Sequence, residues 1–297
     1  MDTLSAVGIV AKSRLSAATP HLLEVESWLA ARNITAVVET ATAALMPPSP
    51  TRVVADKQAL VSRAGLVLVL GGDGTLLSMA DCIAQAGRCV PILGVNFGSL
   101  GFLTEVTLPE LYPALEAALA GRAHVEERLM LQATVHSSSA PQVGVAVNDV
   151  VINKAAPSRL INLSVFVGDE FVTNVRADGL IIATPTGSTA YNLSAGGPVV
   201  EPSVDAMVLT PIAPHTLSNR PIVIPGSCNV QVRPVMNERD EVFVTFDGQV
   251  GFPLRPNDRL TVRRAPHPLR IVRSTKRSYF DVLRQKLKWG GAPGSGP

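Results

Sequence analysis

The sequence predicts an α/β N-terminal domain over residues 1–124, built on an open, mostly parallel sheet, followed by a β-rich, sandwich-like domain over 125–274. A helix over 275–289 is expected to return to the first domain, with 290–297 as a disordered tail. Three observations carry this expectation. Apolar runs alternate with helical periodicity through the first domain, apolar and polar residues alternate at period two from about Val125, and Phe280, Leu283 and Leu287 recur at helical spacing.

Taken in order, Ala6 to Val10 is strand-like, Leu22, Val25 and Leu29 mark a helix face, and Ile34 to Val38 is a second strand. Pro47-Pro48-Ser49-Pro50 breaks the pattern. The uninterrupted apolar run Leu66 to Leu70 reads as a buried strand, followed by Gly71-Gly72-Asp73-Gly74-Thr75, a helix over Leu76 to Ala86 and a strand at Pro91 to Val95. Thr107 and Glu110 form a T-x-x-E capping box ahead of Leu111, Leu115 and Leu119, so a helix starts there. Ligands of such sheets bind beyond the carboxyl ends of the strands, where Gly71 to Thr75 lie. In the second domain Leu129, Leu131, Ala133 and Val135 alternate with other residues, as do Ile161, Leu163, Val165 and Val167. Further short strands are expected at Val143–Val147, Leu180–Ala183, Val230–Val232, Val242–Phe246 and Leu260–Val262.

Composition narrows the class. A chain of 297 residues with 46% hydrophobic and 17% charged residues is well packed and long enough for two domains. Its net charge of +2 does not mark a nucleic-acid surface, and the basic cluster from Arg263 to Arg277 reads as a solvated face. No apolar run approaches the roughly 20 residues that span a bilayer, so neither nucleic acid nor membrane is an expected partner. The opening MDTLSAVGIV resembles a first strand more than a signal peptide. Cys82, Cys89 and Cys228 are odd in number and lack C-x-x-C spacing, which argues against a disulfide framework or a zinc site and for a cytoplasmic, reduced setting. The five histidines are dispersed. No particular residue is singled out as a metal ligand; any metal is expected to be held by carboxylates and phosphates.

The strand, glycine turn and helix start at Gly71–Thr75 make a phosphate cradle, since glycines permit positive φ and close approach while a helix start offers unpaired N–H groups. Asp73 is costly beside phosphates, which points to a chemical role such as gripping a hydroxyl, accepting a proton or organising a cation. A turn aspartate bonded to its own backbone is the alternative. A second glycine- and hydroxyl-rich block, Asp178 to Pro198, suits phosphate and ribose contacts, with Tyr191 able to stack on a base, or else is an elaborate inter-strand loop. Asn148-Asp149 stands at a strand entrance, where taken alone a turn explains it more often than a site does.

Together GGDGT (71–75), NDVVI (148–152), DGLIIATPTGSTAYNLSAGGP (178–198), TPIAPHTLSNRPIVI (210–224) and DGQ (247–249) resemble the NAD kinase family. Diacylglycerol and sphingosine kinases share GGDGT; the 178–198 block is the specific element, and the resemblance runs from the first strand to about residue 285. It implies a Rossmann-like first domain and transfer of the γ-phosphoryl of ATP to the 2′-hydroxyl of the adenosine ribose of NAD, giving NADP and ADP. Asp73 would be the general base, Gly72 and Gly74 would let the backbone approach, Thr75 would start the helix, and Mg²⁺ or another divalent metal would ride on the donor phosphates. Asn148 and Asp149 would hold ribose and base, and Asp178 the nicotinamide part. Thr189, Ala190, Tyr191 and Ser194, with Asn192 and Leu193 beside them, would form the adenine and ribose pocket. Arg159 and Arg176 would meet phosphates or be plain surface charges, Gln249 would add a polar contact, and Phe102 would be an aromatic neighbour or a core residue. Many family members carry Asn-Glu at Asn148-Asp149, so here the carboxylate is one methylene shorter. The resemblance further implies a homo-oligomer, dimer or tetramer, in which one subunit completes another's site. A lipid kinase and a catalytically silent dinucleotide sensor are the alternatives.

Overall fold

The computed structural model describes residues 4–98, 100–137, 140–154, 160–216, 218–235 and 242–289; Arg159 and the expected disordered tail lie outside the described residues. The chain divides into two compact units, Met1–Glu127 with Leu269–Pro297, and Arg128–Pro268.

The first unit carries an eight-stranded sheet. Its strands are β1 (Ala6–Ala11), β2 (Thr35–Glu39), β3 (Val53–Ala55), β4 (Leu66–Gly71), β5 (Ile92–Asn96), β6 (Val106–Thr107), β7 (Val125–Arg128) and, arriving last, β20 (Leu269–Val272). The helices are α1 (Thr19–Ala30), α2 (Thr40–Ala43), α3 (Lys57–Arg63), α4 (Asp73–Gln85), α5 (Leu111–Leu119) and α7 (Tyr279–Leu287). Strand order is β3-β2-β1-β4-β5-β20-β7, with β6 also on β5. The pairs of β1 with β2 and β4, and of β4 with β5, are parallel. Because β1 runs on to β2 on one side and pairs β4 on the other, the connections diverge between β1 and β4, which is where open sheets bind ligands. The pairing continues one residue past the end of β1, with Lys12 N donating to Leu70 O of β4 at 2.9 Å. The central strands β1, β4 and β5 are buried at every position, and on one face Val7, Ile9, Leu66, Leu68, Leu70, Leu93 and Val95 pack with Leu22, Val25 and Leu29 of α1 in one core.

The T-x-x-E box is formed as expected: Thr107 N and Oγ1 donate to Glu110 Oε2 at 2.9 and 2.6 Å and start a 3₁₀ turn that runs into α5. The basic cluster is a solvated face only in part: Arg263, Arg264 and Lys276 are exposed, whereas Arg273 and Arg277 are drawn onto carboxylates. Arg273 bonds Glu105 at 2.7 Å and also Glu126, and Arg277 bonds Glu110 at 2.9 Å. Burial raises the Glu110 carboxyl, yet the Arg277 and Thr107 hydrogen bonds outweigh it and hold the group down at about 2. In α7, Ser278 and Asp281 form a second capping box, and the buried residues are Val282 and Leu283 while Phe280 is exposed.

The second unit is a pair of six-stranded sheets. One contains β10 (Asp149–Lys154), β13 (Gly179–Ala183), β14 (Ala206–Ile212), β15 (Ile222–Pro225), β17 (Val242–Phe246) and β18 (Val250–Leu254) in the order β15-β14-β13-β10-β17-β18. The other contains β8 (Leu131–His136), β9 (Gln142–Ala146), β11 (Ile161–Val167), β12 (Glu170–Ala177), β16 (Val230–Val235) and β19 (Arg259–Arg264) in the order β12-β11-β16-β19-β8-β9. The period-two apolar residues of both, among them Leu131, Val135, Ile152, Leu163, Leu180, Val232, Val244 and Leu260, form one shared core, as facing sheets require. The outer face of the first sheet buries Val151, Ile181, Ala183 and Val208 beneath Ala195 and Val200 of the segment after β13. The unit is slightly shorter than the expected 125–274, because the chain leaves and rejoins the N-terminal sheet through β7 and β20. Cys82, Cys89 and Cys228 are free. Among the described residues no helix is long and apolar enough to cross a membrane.

Candidate functional site

In the first unit β4 delivers Gly71 to the sheet's carboxyl edge, Gly72 is extended (φ −119°, ψ −176°), and Asp73 is the first residue of α4. No side chain caps this helix start. The expected positive φ is not used, since Gly71, Gly72 and Gly74 all lie outside the left-handed region. What the glycines provide is open surface: a Cβ on Gly72 or Gly74 would meet nothing within 4 Å. Thr75 does not start the helix but is its third residue, and its hydroxyl lies where a Cβ on Gly71 would approach to 2.9 Å.

Asp73 is not a turn aspartate bonded to its own backbone. Its Oδ2 accepts from Phe102 N at 2.9 Å, while Oδ1 accepts from Leu103 N at 3.2 Å, Thr104 N at 3.0 Å and Thr104 Oγ1 at 2.8 Å. The loop Gly101–Thr104 is therefore a clamp for this carboxylate. Its fit depends on Gly101, whose hypothetical Cβ would stand 2.0 Å from Asp73 Oδ1 and 2.4 Å from Thr104 Oγ1. Phe102 belongs to the site through its backbone N–H, with its ring half-buried. Neither Gly101 nor Thr104 was among the expected site residues; the one signal in the sequence is that both lie within two positions of Phe102 in the segment GSLGFLT, 98–104.

In the second unit Asn148 and Asp149 enter β10 against the turn that joins β17 to β18. Asp247, held at φ +50°, accepts from Val147 N (2.9 Å), Asn148 N (2.7 Å) and Asp149 N (3.1 Å), and returns its own N–H to Asp149 O at 3.0 Å. The Asp149 residue is only 4% exposed, and burial, with the Asp247 charge added, pushes its carboxyl up to about 7. From the other side Thr184 Oγ1 donates to Val147 O at 2.6 Å and accepts from Gly187 N at 2.9 Å. A Cβ on Gly187 would lie 2.0 Å from Asn148 O, so the loop after β13 closes on the Asn148–Asp149 edge only with glycine there.

The loop continues through a 3₁₀ turn at Thr186–Thr189 into α6 (Tyr191–Ser194). Tyr191 is 42% exposed, Ser194 is exposed, and Thr189, Ala190 and Leu193 are half-buried, so these side chains remain available to a ligand. Asn192 does not share that role. It is fully buried, its Nδ2 donates to Ser188 O and Pro198 O, each at 3.0 Å, and its Oδ1 accepts from Thr210 Oγ1 at 2.6 Å; it shapes the loop from inside. Gln249 is exposed in the Asp247 turn, its N–H bonded to Phe246 O at 2.9 Å.

Asp178 and Arg176 stand elsewhere. β10 and β13 are antiparallel with Asp149 opposite Ala183 and Asn153 opposite Gly179. Asp178, bonded to Lys154 Nζ at 2.5 Å, thus sits at the far end of these strands from Asp149, about five steps of roughly 3.3 Å away along β13. Arg176 is exposed on β12. Within one chain the structure gathers Asn148, Asp149, Gln249 and the 184–194 loop, and leaves Asp178 and Arg176 apart.

A buried carboxyl raised to about 7 is most favourable for folding while it is protonated, and that contribution is lost as pH rises through 7. The stability advantage of Asp149→Asn over the parent is therefore expected to be larger at pH 8.5 than at pH 5, by on the order of 2–3 kcal/mol, because the unfolded carboxyl ionises near 4 and the native one only at about 7. Urea melts at the two pH values check this.

Residues 7–123 match the family model described as the ATP-NAD kinase N-terminal domain, and residues 147–274 match the ATP-NAD kinase C-terminal domain. A NAD kinase of Geotalea daltonii is 49% identical over 268 residues, covering 90% of this chain and 92% of the relative. One from Moorella thermoacetica is 43% identical over 286 residues, covering 96% and 90%. Among solved structures, yeast NADH kinase complexed with NADH aligns at TM-score 0.87 and 27% identity, over 100% of this chain and 91% of that one. An NAD kinase from Archaeoglobus fulgidus in complex with ATP aligns at TM-score 0.75 and 26% identity, over 96% and 100%.

Proposed function

The chain belongs to the NAD kinase family, and from that premise we infer that it phosphorylates the 2′-hydroxyl of the adenosine ribose of NAD with ATP, giving NADP and ADP. The observation that carries the chemistry is the four-donor clamp on Asp73 at the open start of α4. A carboxylate so held has a fixed direction, and it serves to orient the ribose hydroxyl and take the proton as the O2′–Pγ bond forms and the bond to the ADP oxygen breaks. Because phosphoryl transfer has a loose transition state, alignment and charge neutralisation supply most of the acceleration, and proton removal a smaller share. That division suits a carboxylate that already accepts four hydrogen bonds. Open backbone at Gly72 and Gly74 leaves room for phosphate oxygens beside the uncapped N–H groups of α4.

Asn148 and Asp149 with Gln249 hold ribose and base in this reading, Tyr191 flanks the adenine, and Thr189, Ala190, Leu193 and Ser194 complete the pocket. A divalent metal, Mg²⁺ first, is proposed to enter on the ATP phosphates and spread their charge. Among the described residues no three His, Cys, Asp or Glu side chains come together, and Asp73 already accepts four donors, so the donor set fits a metal held chiefly by phosphate oxygens. A cytoplasmic setting is proposed, supported by three free cysteines. A homo-oligomer is proposed as well: Asp178 stands at the opposite end of β13 from Thr184, which suits a role for Asp178 and Arg176 toward a neighbouring subunit's ligand. An acceptor panel tests the function. With MgATP, NAD is expected to be phosphorylated while sphingosine and diacylglycerol are not; lipid phosphorylation without NADP would overturn it.

A further inference from the structure

We infer that Asp73 Oδ2 is the atom that receives the ribose proton, and that Thr104, fixed in turn by Asn96, is the positioning residue that ties up Oδ1 and leaves Oδ2 free for the transfer. The inference rests on the reading of Asp73 as the base. Hydrogen-bond directions around Thr104 fix the assignment. Asn96 Oδ1 accepts from Gly98 N at 2.5 Å, which settles which end of the amide is oxygen and turns Nδ2 toward Thr104 Oγ1, 3.2 Å away. An amide nitrogen can only donate, so Thr104 Oγ1 spends a lone pair on Asn96. Its single hydrogen then points to the remaining partner, Asp73 Oδ1 at 2.8 Å, which as a carboxylate oxygen can only accept. Both residues are buried, with Thr104 at 0% exposure, so no solvent competes for this orientation.

The two carboxylate oxygens are therefore unequal. Oδ1 accepts from Leu103 N, Thr104 N and Thr104 Oγ1, more than its two lone pairs hold comfortably. Oδ2 accepts from Phe102 N alone among the described residues, and so keeps a lone pair for an incoming hydroxyl. The hydroxyl's proton passes to Oδ2 as its oxygen bonds Pγ, and the ADP oxygen leaves with the electron pair of the broken bond. Without the Thr104 hydroxyl the carboxylate loses its strongest side-chain tether and can rotate about χ2, which exchanges the two oxygens and blurs the line of attack.

Thr104→Val keeps the shape and removes the hydroxyl. It is expected to lower kcat by about 10- to 100-fold with KM for NAD changed less than about threefold, an alignment loss without a binding loss. Thr104→Ser, which keeps the donor, should recover kcat to within about threefold of the parent. Asn96→Asp keeps the acceptor for Gly98 N but offers Thr104 a competing carboxylate, so it should lower kcat similarly and add nothing further to Thr104→Val. Thermal melting and NAD binding by calorimetry accompany each variant. A Thr104→Val enzyme with kcat within about twofold of the parent overturns the inference, as does a folded Thr104→Ser enzyme as slow as the valine variant. An active Asp73→Asn enzyme would instead remove the parent reading, so the two failures stay distinguishable.

Discussion

Asp73→Asn is expected to reduce kcat by about 10³-fold or more while the protein folds and binds NAD. The substitution changes no volume, so the loss reports chemistry. An amide has one acceptor oxygen where the carboxylate has two. Whichever way it turns, a donor of the Phe102–Thr104 loop faces an NH₂ group, at a cost of about 1–3 kcal/mol. No atom remains at Oδ2 that can take the ribose proton. Steady-state kinetics with saturating MgATP, beside a melting curve and an NAD titration, separate these effects. Lost NAD binding would mean that the residue serves the pocket; unaltered kcat would mean that it serves neither.

Gly101→Ala should be nearly as severe without touching a reacting group. The added Cβ would stand 2.0 Å from Asp73 Oδ1, well inside contact distance, and the atom it strikes is held by three donors and cannot swing aside freely. Either the loop withdraws or the carboxylate is displaced by about 1 Å, and misalignment on that scale costs about 10²-fold in rate. A stability loss of about 1–3 kcal/mol should accompany it, as for other overpacked sites. The expected signature is a large fall in kcat, a small change in KM for NAD and a lowered melting temperature. A Gly101→Ala enzyme with normal kcat would show that the clamp does not control Asp73.

What could be read from the chain alone was whatever announces itself locally. Leu66 to Leu70 reads as a buried strand because every residue is apolar, and Thr107 with Glu110 reads as a helix start because both capping partners lie within one turn. The period-two stretches gave away the second unit's two sheets for the same reason. β3, three residues long, has no period to read. The Asp73 clamp was invisible because its donors are mostly backbone N–H groups some thirty residues away, and any residue type supplies one. Asp178 was grouped with the 184–194 loop because the block is continuous in sequence. β13 lies between them, and the antiparallel pairing with β10 sends the two ends apart. Asn192 was placed beside the ligand pocket by the family resemblance, but Thr210, from a strand 18 positions on, completes its hydrogen bonding inside the fold. Arg273 likewise lost its solvated reading to Glu105 and Glu126, carboxylates that local charge counting cannot pair with it.

The central claim is that this chain places phosphate on one particular hydroxyl of NAD under the control of Asp73. The most direct measurement incubates the parent and Asp73→Asn proteins with MgATP and NAD and assays the product with a dehydrogenase that accepts only the 2′-phosphate. The account predicts that the parent converts NAD to a product the dehydrogenase reduces fully, and that the variant yields about 10³-fold less in the same time. NAD bound without turnover, or a phosphorylated product that the dehydrogenase refuses, would contradict it.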